Sequence, residues 1–226
     1  MTDEPATIPS VGERPRCPVC GAIGTMLYEG LVDRLFGARG RWTMKRCPSP
    51  SCGSLWLDPT PAQAELERAY ATYYTHRVPV DVSGEPLRRA YAWFKEGYYA
   101  RRYGYPISGS AILKRALGLA LFALPAARDR LDMRIIFLPA MASGRLLDVG
   151  CGNGSALALM RAMGWQVEGV DMDAAAVGVT RDLGIPARVG TLQSQRYPDA
   201  SFDAVMMSHV IEHVPDPLDV LTECHR

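Results

Sequence analysis

Three groups of residues have the types and spacing to do chemistry: four paired cysteines, a run of alternating glycines flanked by two aspartates, and a His-Glu-His cluster. Cys17 and Cys20 are separated by two residues, Cys47 and Cys52 by four, and 26 residues lie between the pairs. Four thiolates satisfy a tetrahedral Zn2+, and two short turns can present two each. Gly21 and Gly53 follow the second cysteine of each pair. A glycine there lets the backbone turn tightly enough for its amides to approach the sulfurs. With all four positions filled by Cys17, Cys20, Cys47 and Cys52 the metal keeps no open site for water. Such a zinc is structural and stabilises a small module through metal-coupled folding. The other reading is a set of ordinary buried thiols. Cys151 and Cys224 have no ligand-like neighbours and read as small buried residues.

The stretch Leu146-Leu147-Asp148-Val149-Gly150-Cys151-Gly152-Asn153-Gly154 reads as a strand running into three alternating glycines, with a helix after them. Glycines at such a turn let a ligand press on the backbone, and the helix N-terminus offers free N–H groups. A dinucleotide fingerprint needs a further Gly or Ala three residues on. Counted from Gly150 that position is Ser155, and counted from Gly152 it is Leu157. The Gly-Lys-Ser/Thr of a phosphate-cradling loop is also missing. Asp148 decides among ligands, because a carboxylate there repels a pyrophosphate and suits an ammonium. Asp171, 17 residues beyond Gly154, closes the next strand, and its two oxygens can accept both hydroxyls of a ribose. An ammonium, a ribose and no phosphate describe S-adenosylmethionine.

His209-x-x-Glu212-His213 follows a fourth strand, at the edge where open α/β sheets bind ligands. A metalloprotease-like metal site needs a sustained helix, which Pro215 and Pro217 cut short. Two readings remain. His209 or His213 could act as a general base on a substrate hydroxyl, with His209 the better candidate. Alternatively, Glu212 and His213 fix the loop.

These residues resemble the class I S-adenosylmethionine-dependent methyltransferases. The match is carried by Leu147-Asp148-x-Gly150-x-Gly152-x-Gly154, by Val170-Asp171, and by Ser201-Phe202-Asp203-Ala204-Val205 with His209-Val210-Ile211-Glu212-His213-Val214-x-Asp216-Pro217. It covers residues 145–226. The cysteine module and the segment after it look like the N-terminal extension of a bacterial subgroup often linked to methylation of sugars, polysaccharides or secondary metabolites. The resemblance implies that Asp148, Gly150, Gly152 and Gly154, with Cys151 and Asn153 between them, hold the methionine part of the cofactor. It implies that Asp171 holds the ribose, that Met172 packs on the adenine, and that Thr191 and Leu192 flank its edge. Many relatives carry a carboxylate near that edge, where this chain has Thr191, Gln193 and Ser194.

Elements must position these groups. From Arg145 the pattern alternates: strands at Arg145–Val149, Gln166–Val170, Ala187–Val189 and Phe202–Met207, with helices between them, one capped by Asp173 and a last one opened by Asp216-Pro217. That order predicts a parallel sheet with covering helices. The expected fold class is therefore α/β, a Rossmann-like methyltransferase fold showing its first four parallel strands, preceded by a small zinc ribbon and a helical bridge. The expected division is 1–59 for a tail plus the zinc ribbon, 60–143 for the bridge, which could form an acceptor lid, and 144–226 for the cofactor-binding half. Relatives use seven strands, so the sequence reads as C-terminally truncated, with an unpaired apolar edge at Val205, Met206 and Met207 that is an aggregation hazard.

Within 17–57 the β-type runs are Thr25–Glu29 and Arg41–Lys45. Thr60-Pro61 opens a helix with Leu66, Ala69, Tyr70 and Tyr73 on one face, and further helices are expected at about 86–100 and 110–124. Eight of the ten tyrosines lie between Tyr70 and Tyr105, as helix packing or as an acceptor pocket with Arg88, Arg89, Arg101 and Arg102. The most apolar run, Ala116 to Ala127, is 12 residues, too short for the roughly 20 of a membrane span. It reads as a buried helix, with an interfacial membrane helix as the alternative.

The 226 residues carry a formal net charge of +1, which gives no support to a strongly basic nucleic-acid binder. The charge is uneven: 61–143 holds 12 basic and 7 acidic residues, 144–226 holds 6 and 11. The N-terminus lacks a signal-peptide pattern, and six cysteines without an export signal point to a reducing, cytoplasmic setting. The expected function is methyl transfer to a small molecule or a glycan or nucleotide-sugar precursor. An RNA methyltransferase gripping RNA with its zinc ribbon, and a non-catalytic adaptor that keeps the cofactor fold, are the alternatives.

Overall fold

The computed structural model describes residues 12–34, 41–60 and 85–226, with side chains from 91 in the last segment. The helix expected after Thr60 lies outside the described residues. Two compact units divide the chain, Met1–Tyr74 with His209–Arg226, and Thr75–Ser208.

In the first unit, β1 (Thr25–Leu31), β2 (Trp42–Arg46) and β3 (Leu55–Asp58) form an antiparallel sheet in chain order. The first two follow the β-type runs of the sequence; β3 was not foreseen. Its pattern explains why it forms: Trp56 and Asp58 are buried, alternating with Leu55 and Leu57. Trp56 packs on Cys17 and Cys47, and its indole N–H donates to the Arg14 carbonyl at 2.9 Å. Burial pushes the Asp58 carboxyl up, but the Lys45 ammonium and the Arg14 amide outweigh it and hold it below the usual range. At the other end of the chain, α6 (Pro217–His225) starts as expected, with Asp216 accepting the amides of Leu218 and Asp219 at 3.1 and 3.2 Å.

The second unit opens with α1 (Glu85–Tyr103), α2 (Ala111–Leu119), a 3-10 turn (Ala120–Ala123) and α3 (Pro125–Arg134). A parallel sheet follows, of β4 (Arg145–Val149), β5 (Gln166–Asp171), β6 (Ala187–Val189) and β7 (Ala204–Met207), with α4 (Ser155–Ala162) and α5 (Ala174–Asp182) as crossovers. The order is β6-β5-β4-β7, every pair parallel. All four expected strands are present. The last is two residues shorter at its start, where the Phe202 ring meets that of Tyr197 edge-on at 5.0 Å. The chain steps from β4 to β5 to β6 in one direction and returns to place β7 on the far side of β4. The carboxyl end of β4 is therefore the switch point where open α/β sheets bind ligands.

The run Ala116–Ala127 does not form one buried helix. Pro125 has no N–H to continue a ladder and pushes Leu124 to φ −119, ψ 81, so the first helix ends and α3 begins at the proline. Ala116, Leu119, Ala120, Ala123, Leu124 and Ala126 are exposed.

The bridge helices share a core with β4 and α4: Tyr98, Tyr99, Tyr105, Leu131 and Ile135 pack with Leu146, Leu157, Met160 and Trp165. Their polar atoms are satisfied internally. The Tyr98 hydroxyl donates to Asp132 Oδ1 at 2.6 Å and that of Tyr99 to the Leu131 carbonyl at 3.0 Å. The Tyr105 hydroxyl donates to the Leu138 carbonyl at 3.0 Å and accepts from the Trp165 indole at 3.1 Å. These tyrosines are packing groups.

Candidate functional site

The metal-ligating set assembles first. The sulfurs of Cys17, Cys20, Cys47 and Cys52 all lie within 4.8 Å of one another, with Cys20–Cys47 at 3.3 Å and Cys17–Cys52 at 3.7 Å. A tetrahedral zinc with Zn–S of about 2.3 Å separates its sulfurs by about 3.8 Å, so one ion fits the set. None of the four is in a disulfide. Gly21 at φ +76 and Gly53 at φ +62 make the two turns, and the Val19 amide points at Cys17 Sγ at 3.4 Å. The Ser54 hydroxyl, 3.2 Å from Cys52 Sγ, holds that thiol down at about 6. The cluster is able to chelate a structural Zn2+.

The second site lies at the end of β4. Gly150 (φ +78), Gly152 (φ +53) and Gly154 (φ +72) all take left-handed backbone. The amide of Gly150 donates to the Val170 carbonyl at 2.7 Å, fixing the turn to β5. Gly154 also faces Thr180, where a Cβ would lie 2.7 Å from Oγ1, so size as well as φ excludes other residues. Thr180 is fully buried, and its hydroxyl donates to the Gly152 carbonyl at 2.9 Å. Nothing in the sequence marks this residue, which reaches the turn from α5.

Asp171, at the end of β5, uses both oxygens: Oδ2 accepts the Gly152 amide at 2.8 Å and Oδ1 the Asp173 amide at 2.9 Å. It therefore shapes the glycine turn and keeps further lone pairs for a ligand. Asp148 is 4% exposed, and burial, followed by the charge of Asp171, pushes its carboxyl up to about 8. A cation brought beside this pair would favour the ionised form.

Asn153 Oδ1 accepts the Ser155 amide at 3.1 Å at the start of α4. Cys151 is buried against Gly169, and burial pushes its thiol up to about 12, which makes it no nucleophile. Met172 is exposed just past β5. Leu192 is buried, while Thr191 is exposed and accepts the Ser194 amide at 3.2 Å. Gln195, absent from the sequence reading, ties this corner together: its amide donates to the carbonyls of Val189 at 3.1 Å and Thr191 at 3.2 Å. Asp148, Asp171 and the three glycines thus converge at the neighbouring carboxyl ends of β4 and β5, with Met172 just past β5 and Thr191 after β6.

Residues 147–226 match the family model described as a methyltransferase domain. Among curated proteins, the ubiquinone biosynthesis O-methyltransferase of Hahella chejuensis is 37% identical over 94 residues, covering 38% of this chain and 40% of that protein. That of Alkalilimnicola ehrlichii is 36% identical over 104 residues, covering 43% and 42%. The chain thus spans about 40% of the length of these relatives. An S-adenosylmethionine dependent methyltransferase structure from Mesorhizobium loti is similar at 24% identity, covering 42% of this chain and 46% of that one, with a TM-score of 0.39. Residues 147–226 thus combine a match to a methyltransferase-domain model with an α/β, Rossmann-like parallel sheet of the methyltransferase type. In that sheet the Asp148–Gly154 turn and Asp171 lie at the carboxyl ends of β4 and β5.

His209 lies in the unit that holds the cysteine cluster. It has φ +56, its side chain is 88% exposed, and its Nδ1 is 3.5 Å from Glu212 Oε1. His213 Nε2 is 3.7 Å from the same oxygen. Residues Ile211–His213 form a single 3-10 turn, which removes the sustained helix a metalloprotease pattern requires. Burial, partly offset by Glu212, lowers the pKa of His213.

Proposed function

We propose that this chain contains the cofactor-binding part of an S-adenosylmethionine-dependent methyltransferase that acts on a small molecule. The observation that carries the reading is the pairing of two carboxylates with a three-glycine turn at the switch point of the sheet. Asp171 grips the Gly152 amide and Asp148 lies buried at the end of β4. S-adenosylmethionine, when bound, supplies an electrophilic methyl group on a sulfonium.

The residues do the rest. Asp148 and the turn Gly150, Cys151, Gly152, Asn153 and Gly154 hold the methionine part, with Cys151 and Asn153 contributing backbone. Asp171 takes the ribose hydroxyls. Met172 covers the adenine, and Thr191 and the backbone at Leu192 flank its edge. Displacement at the methyl is in line, so catalysis is largely alignment of the nucleophile and exclusion of water. The relatives named for O-methyl transfer favour a hydroxyl acceptor, and a hydroxyl needs a base. We assign that role to His209, whose strained backbone and position after β7 support it. A glycan or nucleotide-sugar precursor is the acceptor class that this chain's N-terminal extension favours. The division into 1–59, 60–143 and 144–226, with a zinc ribbon, a bridge and a cofactor half, belongs to the same reading, as does a cytoplasmic setting.

Calorimetric titration with S-adenosylhomocysteine tests this. Saturable binding by the wild-type chain is expected, at least tenfold weaker for Asp171→Ala. A folded wild-type chain that shows no binding would remove the proposal.

A further inference from the structure

Between residues 112 and 126, nine of the ten exposed residues are apolar and the tenth is Arg115. Ile112 is 89% exposed, Leu113 48%, Leu119 47% and Leu124 55%. The spacing of Ile112, Ala116, Leu119 and Ala123 places them on one outward face of α2 and its 3-10 extension. The opposite face is already used. Gly118 meets Gly97 of α1 so closely that a Cβ on either would collide with backbone, and Lys114 is buried against Glu96 at 2.6 Å and over the Trp93 ring at 5.6 Å. This helix therefore has a fixed inner face and an outer face of aliphatic side chains.

Charge decides what suits that outer face. From Gly97 to Arg128 the chain has five cations and no carboxylate, and of these Arg102, Lys114 and Arg128 are ion-paired with Asp132, Glu96 and Asp129, so the charge offered outward is that of Arg101 and Arg115. Arg115 and Arg101 are exposed. Exposed aliphatics interrupted between 112 and 126 only by Arg115 and free of acids complement a lipid surface with anionic headgroups. Among the described residues no helix is long and apolar enough to cross a membrane. We propose that residues 112–126 form an interfacial membrane-binding face, laying their aliphatic side chains into the headgroup region of an anionic bilayer. The occupant is the lipid surface itself, bound from one side.

Vesicle co-sedimentation of the full chain tests this, with phosphatidylcholine vesicles containing 30 mol% phosphatidylglycerol (about a third anionic lipid) against pure phosphatidylcholine. The expected result is partition onto the anionic vesicles, at least tenfold weaker onto neutral ones. Ile112→Glu and Leu119→Glu should each lower partition at least tenfold without changing the thermal midpoint, since both side chains are exposed. Arg115→Glu should abolish the preference for anionic lipid. Absence of partition by the wild-type chain overturns the proposal. So does a dimer that Leu119→Glu makes monomeric without any vesicle binding, which would assign the face to a second copy. S-adenosylhomocysteine binding, measured on the same variants, is expected to be unchanged and reads the methyltransferase assignment separately.

Discussion

Asp148 links the stability of the chain to pH and, on the proposed function, to its ligand. Its carboxyl is pushed from the ordinary 3.8 up to about 8 by burial and by Asp171. A carboxyl whose pKa is higher folded than unfolded stabilises the fold while protonated, below about pH 4, and that contribution is lost as pH rises towards 8. The ligand-free wild-type chain should therefore lose stability between pH 5 and 8, measured by urea melts. Asp148→Asn should flatten that slope and be more stable at pH 8 by about 2 kcal/mol. The same substitution should weaken S-adenosylhomocysteine at least tenfold, because the ammonium of that ligand loses its carboxylate. A ligand-free Asp148→Asn chain with the wild-type pH slope would show that Asp148 is already ionised in the fold. At the same scale, Cys151 reads as buried from sequence and is buried, whereas Thr180, which fastens the Gly152 carbonyl, gave no signal. A threonine in a helix looks alike whether it faces solvent or a turn 28 residues away.

At the scale of elements, two close approaches set what the helices tolerate. A Cβ at Gly97 would lie 1.7 Å from the Lys114 carbonyl, so Gly97→Ala should part α1 from α2 and cost about 3 kcal/mol in a denaturant melt. Gly154→Ala combines a φ of +72 with a clash at Thr180, and should cost about 2 kcal/mol while weakening cofactor binding. The cysteine sheet has a different vulnerability. Its core beyond the cysteines is Trp56 with Ala22 beside it, so metal should carry much of its stability. Purified chain is expected to hold about one zinc, and chelation should raise amide exchange in β1–β3. A zinc-free chain with protected β1–β3 amides would argue against a structural metal.

For the whole molecule, β7 is the edge of the described sheet, and its Val205 and Met207 are only half-buried. Concentration-dependent association through this edge is expected, and Val205→Lys should reduce it in light scattering. The identity and parallel sense of four strands, the two capped helix starts at Asp173 and Asp216, the pairing of the four clustered cysteines and the Asp148–Gly154 turn with Asp171 were all legible in the sequence itself, whereas the lateral order β6-β5-β4-β7 was not. Each rests on a local signal: alternation, a cap, or a fixed spacing of glycines, cysteines or carboxylates. Tertiary structure alone decided which faces are buried. The run Ala116–Ala127 is apolar throughout, so its composition could not say which side meets α1. Only the Gly97–Gly118 contact and the break at Pro125 turned part of it outward. Tyr98, Tyr99 and Tyr105 of the bridge went the other way, into the core, because Asp132, Leu131 and Leu138 supply acceptors from segments more than 30 residues distant. Such partners are matched by packing, and no periodicity along one strand or helix records them.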